Sequence, residues 1–161
     1  MANTEAWIGG NGVGLTWTDG GFGGTAFNSL ANANVVVGTS TIANSTALDV
    51  LADFSFSLTG GATTTTATSY FELYLLPLMQ DGSTFGDGTT SGSTLPLQGY
   101  SRGRFYIKTG VTNTVLTGYW NGIVLPAGDF RWAVANQTGG TLNAAAAQAV
   151  KYRTYNFNLN R

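Results

Sequence analysis

Ile123-Val-Leu-Pro-Ala-Gly-Asp-Phe-Arg-Trp-Ala-Val-Ala-Asn136 reads as a strand, a turn and a strand. Ile123, Val124 and Leu125 are apolar and two of them β-branched, which suits a pleated, half-buried surface. Pro126-Ala-Gly-Asp129 has the composition of a tight turn. Phe130, Trp132 and Val134 then share one face of the second strand. Short apolar strands alternate with Gly, Pro and Asn turns throughout residues 107–159, which predicts an antiparallel β-sandwich. No residue in that stretch has the character of a working catalytic group. The role of the chain is therefore expected to lie in the surface it binds.

The same alternation runs back through the chain. Leu48, Val50, Ala52, Phe54, Phe56 and Leu58 share one parity, and Asp49, Leu51, Asp53, Ser55 and Ser57 the other. That is the period-two mark of a half-buried strand. Val35-Val36-Val37 opens an earlier strand that ends near Thr41. Gly60, Gly61 and the threonines 63–66 predict a hairpin loop. Residues 70–76 follow as a strand with Phe71, Leu73 and Leu75 inward, and Pro77 marks its end or an edge. Further strands are expected at 103–108, 114–120 and about 150–159. In the last, the inward phase passes from Val150 and Tyr152 to Tyr155, Phe157 and Leu159, which predicts a β-bulge near Arg153 and Thr154. Residues 80–101 are rich in Gly, Ser, Thr and Asp, and a loop of that length predicts a functional or mobile segment. Residues 144–147 make a short helical turn or a loop. The total is about eight strands, no helix and no internal repeat. This count fits an all-β, antiparallel two-sheet β-sandwich of jelly-roll type, with an immunoglobulin-like sandwich as the alternative.

Composition narrows the function classes. At 161 residues and 43% apolar content the chain suits one domain with a real core. Only 9% of residues are charged, against roughly 25% in an average soluble domain. Few charges mean little repulsion between copies packed among neighbours. A net charge of −1 gives no electrostatic case for nucleic acid, which needs clustered Lys and Arg. Histidine and cysteine are both absent, removing the commonest general base and the usual zinc ligands. No catalytic, cofactor-binding or metal-binding residue is expected. No apolar run approaches the roughly 20 residues of a membrane helix, so no membrane partner is expected. Met1-Ala-Asn-Thr-Glu has neither a basic nor an apolar region, so no signal peptide is expected.

Residues 1–33 differ from the rest. They hold Gly9, Gly10, Gly12, Gly14, Gly20, Gly21, Gly23 and Gly24, with Glu5 and Asp19 as their only charges. Among the glycines stand Trp7, Trp17, Phe22 and Phe27. Glycine makes backbone costly to order, while large aromatics favour burial. Two outcomes fit: a Gly-rich N-terminal arm whose aromatics anchor it on another surface, or aromatics that plug the end of their own sandwich. The division adopted is an arm over 1–33 and a sandwich over 34–161.

The polar clusters yield little chemistry. Asp49 and Asp53 lie four residues apart, roughly 13 Å along a strand. Glycosidase carboxylate pairs need about 5 to 9.5 Å. Glu72 on an outer strand face is expected to be solvated. Asp81 and Asp87 sit in a Gly-rich loop that lacks the ligand pattern of an EF-hand. The glycines of 9–14 and 20–24 form neither a dinucleotide fingerprint nor a Walker loop. Arg102, Arg104 and Lys108 share a parity and are expected to share a strand face, as a solvated surface or as a patch that docks on an acidic partner. Tyr100, Tyr106, Tyr119 and Trp120 are candidates for an aromatic sugar platform.

The order Tyr70-Phe-Glu-Leu-Tyr-Leu-Leu-Pro77, a Gly/Ser/Asp loop, Ile123 to Phe130, Asn136-Gln-Thr-Gly139 and Lys151-Tyr-Arg-Thr-Tyr155 resembles the small jelly-roll decoration, or cement, proteins of tailed bacteriophage heads. The resemblance spans roughly residues 48–159 and is one of pattern and order. It implies a structural virion protein on the capsid exterior, bound to the major capsid protein as a homotrimer. It implies no enzymatic activity and transfers no site residue. Contact residues expected from the chain itself are Trp7, Trp17, Phe22 and Phe27 on the arm, and Arg102, Arg104 and Lys108 on the docking face. The alternative is a carbohydrate-binding or adhesin-type β-sandwich module of a phage tail or surface protein.

Overall fold

The computed structural model describes residues 5–8, 17–23, 25–144 and 148–159. Among the described residues nine strands form: β1 (Glu5–Ile8), β2 (Thr18–Asp19), β3 (Val35–Val37), β4 (Leu51–Thr59), β5 (Tyr70–Pro77), β6 (Ser101–Tyr106), β7 (Val115–Val124), β8 (Phe130–Gln137) and β9 (Ala149–Leu159). One helical turn, α1 (Asn44–Ala47), precedes β4. One sheet runs β1-β9-β4-β7, with β2 also on β9, and the other runs β3-β8-β5-β6. Every strand pairing is antiparallel. β1 pairs with Asn156–Leu159 and β2 with Lys151–Tyr152, so the two occupy successive positions along one interrupted edge. The chain is thus an antiparallel two-sheet β-sandwich with four strand positions in each sheet.

The core lies between the sheets and is aromatic. β9 lies over β8, β4 over β5 and β7 over β6. Ring contacts Tyr152–Trp132 at 6.2 Å, Phe56–Phe71 at 5.1 Å and Trp120–Phe105 at 5.8 Å mark these three layers. The inner faces follow the alternation of the sequence: Ala52, Phe54, Phe56 and Leu58 on β4, Phe71, Leu73 and Leu75 on β5, and Phe130, Trp132 and Val134 on β8. Gly118 on β7 is required by this packing, because a side chain there would collide with the Phe56 ring.

Several expectations need correction. β4 begins at Leu51, and Leu48 sits in the left-handed region at φ 53°, so Leu48 and Val50 point to solvent rather than to the core. Asp49 and Asp53 are buried instead. β9 pairs with β4 from Ala149 to Tyr155 in unbroken register, so no bulge lies at Arg153 and Thr154. Tyr155 is buried on the opposite sheet face from Val150, which is why the apolar phase changes. The register shift lies on the other side of β4, where Asp53 faces both Asn121 and Gly122 of β7. Gly122 takes φ 62° there, a conformation that costs a residue without Cβ little. β7 is consequently one bent strand where two were expected.

The segment between β5 and β6 is packed down rather than loose. Val35, Tyr74, Leu76, Ala133 and Ala135 form a second apolar cluster on the outer face of the β3-β8-β5-β6 sheet, covered by Phe85, Leu95 and Tyr100. Asp87 accepts the Leu97 N–H at 2.7 Å and Val35 bridges to Gly92. This cover also buries Glu72, which is 2% exposed and not solvated as expected. Of residues 144–147, only Ala144 is described, so the expected helical turn lies outside the described residues.

Candidate functional site

The residues of the expected arm separate into different environments. Trp7 stands in β1 opposite Phe157, and its side chain lies outside the described residues. Trp17 is half-buried on the outer face of the β9-β4-β7 sheet, 6.0 Å from the Tyr119 ring and beneath the Arg153 guanidinium at 4.7 Å. Phe22 and Phe27 are buried in the central core, 5.1 Å apart, and Phe22 meets Phe54 edge-on at 6.4 Å. As anchors for an outside surface these two are corrected, because the sandwich itself occupies them. Their burial, with that of Leu30, makes part of the 1–33 stretch belong to the sandwich core.

Arg102 and Arg104 are brought together. Both line a cleft of about 650 Å³ along the open side of the sandwich, where the edge strands β6 and β7 face each other. Its other wall is Tyr119, Trp120 and the run 121–126. Lys108 falls beyond the end of β6, so the shared-face expectation fails for it. It lines a neighbouring hollow of about 200 Å³ together with Ile107, Val111, Val115 and Leu116. Phe105 borders both spaces, so they follow one another along the same edge. Arg102, Arg104 and Lys108 are exposed, and neither lining contains an Asp or Glu.

The two arginines are held differently. Arg104 Nε donates to Glu72 Oε1 at 3.3 Å, and its guanidinium lies 4.8 Å from the Tyr70 ring centroid. Arg102 Nη1 donates only to backbone, at 3.1 Å to Ser101 O and 3.4 Å to Gly99 O. The β5–β6 register shifts between Leu73 and Tyr74, so Arg102 is the extra residue of an edge bulge. Beside these cations stand Tyr106 and Tyr119, two of the expected sugar-platform residues, and two exposed apolar groups not expected at a site, Val115 at 55% and Val124 at 70% exposure. The signal was present in β7, whose outward members Val115, Thr117 and Tyr119 alternate with the inward Leu116, Gly118 and Trp120.

The carboxylates do structural work. Asp53 accepts from Arg153 Nε at 2.9 Å, the Tyr155 hydroxyl at 2.9 Å and the Gly122 N–H at 3.1 Å. Burial opposes its charge, yet hydrogen bonds from Tyr119, Arg153, Gly122 and Tyr155 outweigh it and hold the carboxyl below its ordinary value. Burial, helped by the bond to Asp53, pushes Tyr155 up to about 12. Such a pair has no proton to exchange near neutral pH. Glu72 accepts from Ser101 Oγ at 2.8 Å as well as from Arg104. Burial, reinforced by the nearby Glu72 charge, pushes the Tyr74 hydroxyl up. Asp49 accepts from Asn156 Nδ2 at 3.0 Å. The Thr84 hydroxyl and N–H, with the Ser83 N–H, bring Asp81 down to about 2. That is an Asx turn closing on itself, which explains the Asp-Gly spelling without an ion. Among the described residues no three His, Cys, Asp or Glu side chains gather to hold a metal.

The expected sugar platform is dispersed. Trp120 belongs to the core, Tyr119 faces outward on one sheet, and Tyr106 stacks on Tyr70 on the outer face of the other at 5.5 Å. Tyr100 is tucked against the second apolar cluster. Compared with known proteins, the chain matches no family model, and no curated protein matches its sequence.

Proposed function

We propose that the chain is a structural virion protein that docks on the outside of an icosahedral phage capsid and stabilises it, acting as a homotrimer and not as an enzyme. One observation carries this: the β6/β7 side presents Arg102, Arg104 and Lys108, no carboxylate in the lining of either hollow, and the exposed Val115, Tyr119 and Val124 as one continuous edge. Cations steer and register a partner of opposite charge, while apolar groups beside them supply area to bury. The strand order supports the jelly-roll form of the reading. β1/β2-β9-β4-β7 faces β3-β8-β5-β6, so successive strands from β2 to β5 and from β6 to β9 alternate between sheets. The carboxylates described above are each committed to fold contacts, which favours a surface role over acid–base chemistry.

The test is co-sedimentation of the purified protein with expanded, undecorated heads of its phage. Saturable binding at a fixed ratio to shell subunits is expected, and the ratio names the symmetry axis occupied. A folded protein that stays in the supernatant at every ratio refutes the proposal.

A further inference from the structure

Strand β7 is an unguarded edge. Its first part, Val115 to Trp120, pairs with β4 in unbroken register, and among the described residues no strand lies on its other side. Natural edges are blunted by charge, proline or a bulge. The stretch Val115-Leu-Thr-Gly-Tyr-Trp120 contains no charge and no proline, and its bulge begins only at Asn121 and Gly122. Six residues of free edge offer about 20 Å of strand template. The facing edge β6, by contrast, carries the Arg102 bulge and two arginines, and so is poorly suited to pairing.

We infer that the β7 edge binds an extended, carboxylate-bearing segment of another protein by strand addition, with Arg102, Arg104 and Lys108 reading its acidic residues from across the gap. The reasoning is one of charge and geometry. In strand addition, backbone hydrogen bonds give affinity and alternate side chains give specificity. Seated on β7, a guest strand turns every second side chain toward β6. There it meets Arg102 and Lys108, together with Arg104, whose guanidinium is already shared with the buried Glu72, and no acid lines either hollow. The apolar hollow bounded by Ile107, Val111 and Leu116 takes a small aliphatic group at one end.

A second copy of this chain is a poor guest. Asp49, Asp53 and Glu72 are buried, Asp129 accepts from the Ser45 N–H and hydroxyl, and Asp19, Asp81 and Asp87 are each turned back on a backbone N–H of their own loop. Every acid whose side chain is described is thus held within its own fold, and the guest is assigned to a different protein. This inference rests on the docking role proposed above and names the chemistry of the partner.

The probe is a ten-residue peptide of alternating Glu with Val or Thr, and its control replaces each Glu by Lys. Binding to the full chain is followed by the fluorescence of Trp120 and neighbouring tryptophans. The acidic peptide is expected to saturate the protein, weaken with salt, and outbind the Lys control. The double variant Arg102→Glu/Lys108→Glu is expected to lose at least about tenfold in affinity, since like charges then face each other. The edge variant Val115→Lys/Thr117→Lys is expected to lose binding while its circular dichroism and unfolding midpoint stay unchanged. Equal binding of both peptides, or of neither, overturns the inference. So does an edge variant whose only effect is a changed oligomeric state, because the edge then pairs copies of this chain. Heads that bind wild type and both variants alike would leave the capsid role standing and remove this inference. A peptide that binds where heads do not would do the reverse.

Discussion

The two open sides of the sandwich are finished in opposite ways. Between β2 and β3 the chain closes the gap with its own connecting segment: the Gly20 N–H bonds to Val150 O, the Thr39 N–H to Gly21 O, and Phe22 and Phe27 enter the core. Between β6 and β7 none of the described residues crosses the gap, and a cleft lined by arginines remains. The contrast teaches that glycine-rich sequence with aromatics was used here to complete a core, while the surface proposed for docking was built from ordinary strand sequence. One side is part of the stability of the fold, and the other is left open among the described residues.

Substitutions on the closed side give the sharpest way to break this contrast. Phe27 is 2% exposed, and Phe27→Ala is expected to lose about 3 to 5 kcal/mol through lost burial and a cavity. Denaturant unfolding measures it, and an unchanged midpoint would mean that segment 20–34 is a detachable arm after all. Deleting residues 1–33 should accordingly unfold or strongly destabilise the protein.

Next in size is the polar latch that holds the outer face of the β9-β4-β7 sheet to the β7 bulge. Asp53→Asn is expected to lose about 2 kcal/mol at neutral pH, the scale of a hydrogen-bonded charge left incompletely matched. The sign of its pH dependence follows from the depressed pKa. The contribution is fully present above the unfolded value of about 3.9 and is lost as pH falls through the lower folded value. Acid unfolding of Asp53→Asn should therefore show a shallower limb below pH ~4 than wild type. Matching slopes would mean that Asp53 is not charged in the folded state.

The smallest stability effect belongs to the open side. Arg102→Gln is expected to shift stability by less than about 0.5 kcal/mol, because its guanidinium is exposed and meets only backbone carbonyls. Its effect should appear in docking alone. A large loss of stability would make the β6/β7 edge a structural element like its counterpart and erase the contrast.

Much of the fold was legible because it is written locally. The inward sets Phe71, Leu73, Leu75 and Phe130, Trp132, Val134 are in place as alternation predicted. The candidate site was legible in part: Arg102 and Arg104 do line one cleft, but Lys108 reaches the same edge from beyond the strand and not by shared parity. Glu72 and Asp53 were misjudged because alternation says only that they leave the central core. What lies over the outer face comes from distant chain: the 80–101 segment for Glu72, and Tyr155 and Arg153 for Asp53.

By itself the sequence determined the class of architecture, an antiparallel sandwich, and the inward sets of β5 and β8, since both follow from the period of two along those strands. Only the tertiary structure decided that Phe22 and Phe27 belong to that interior, that Asp49, Asp53 and Glu72 turn inward while Arg102, Arg104 and Lys108 turn out, and that β6 and β7 meet across an unfilled gap. Those outcomes depend on which strands become neighbours. That choice is made by burying surface between residues far apart in the chain, and no local pattern encodes it.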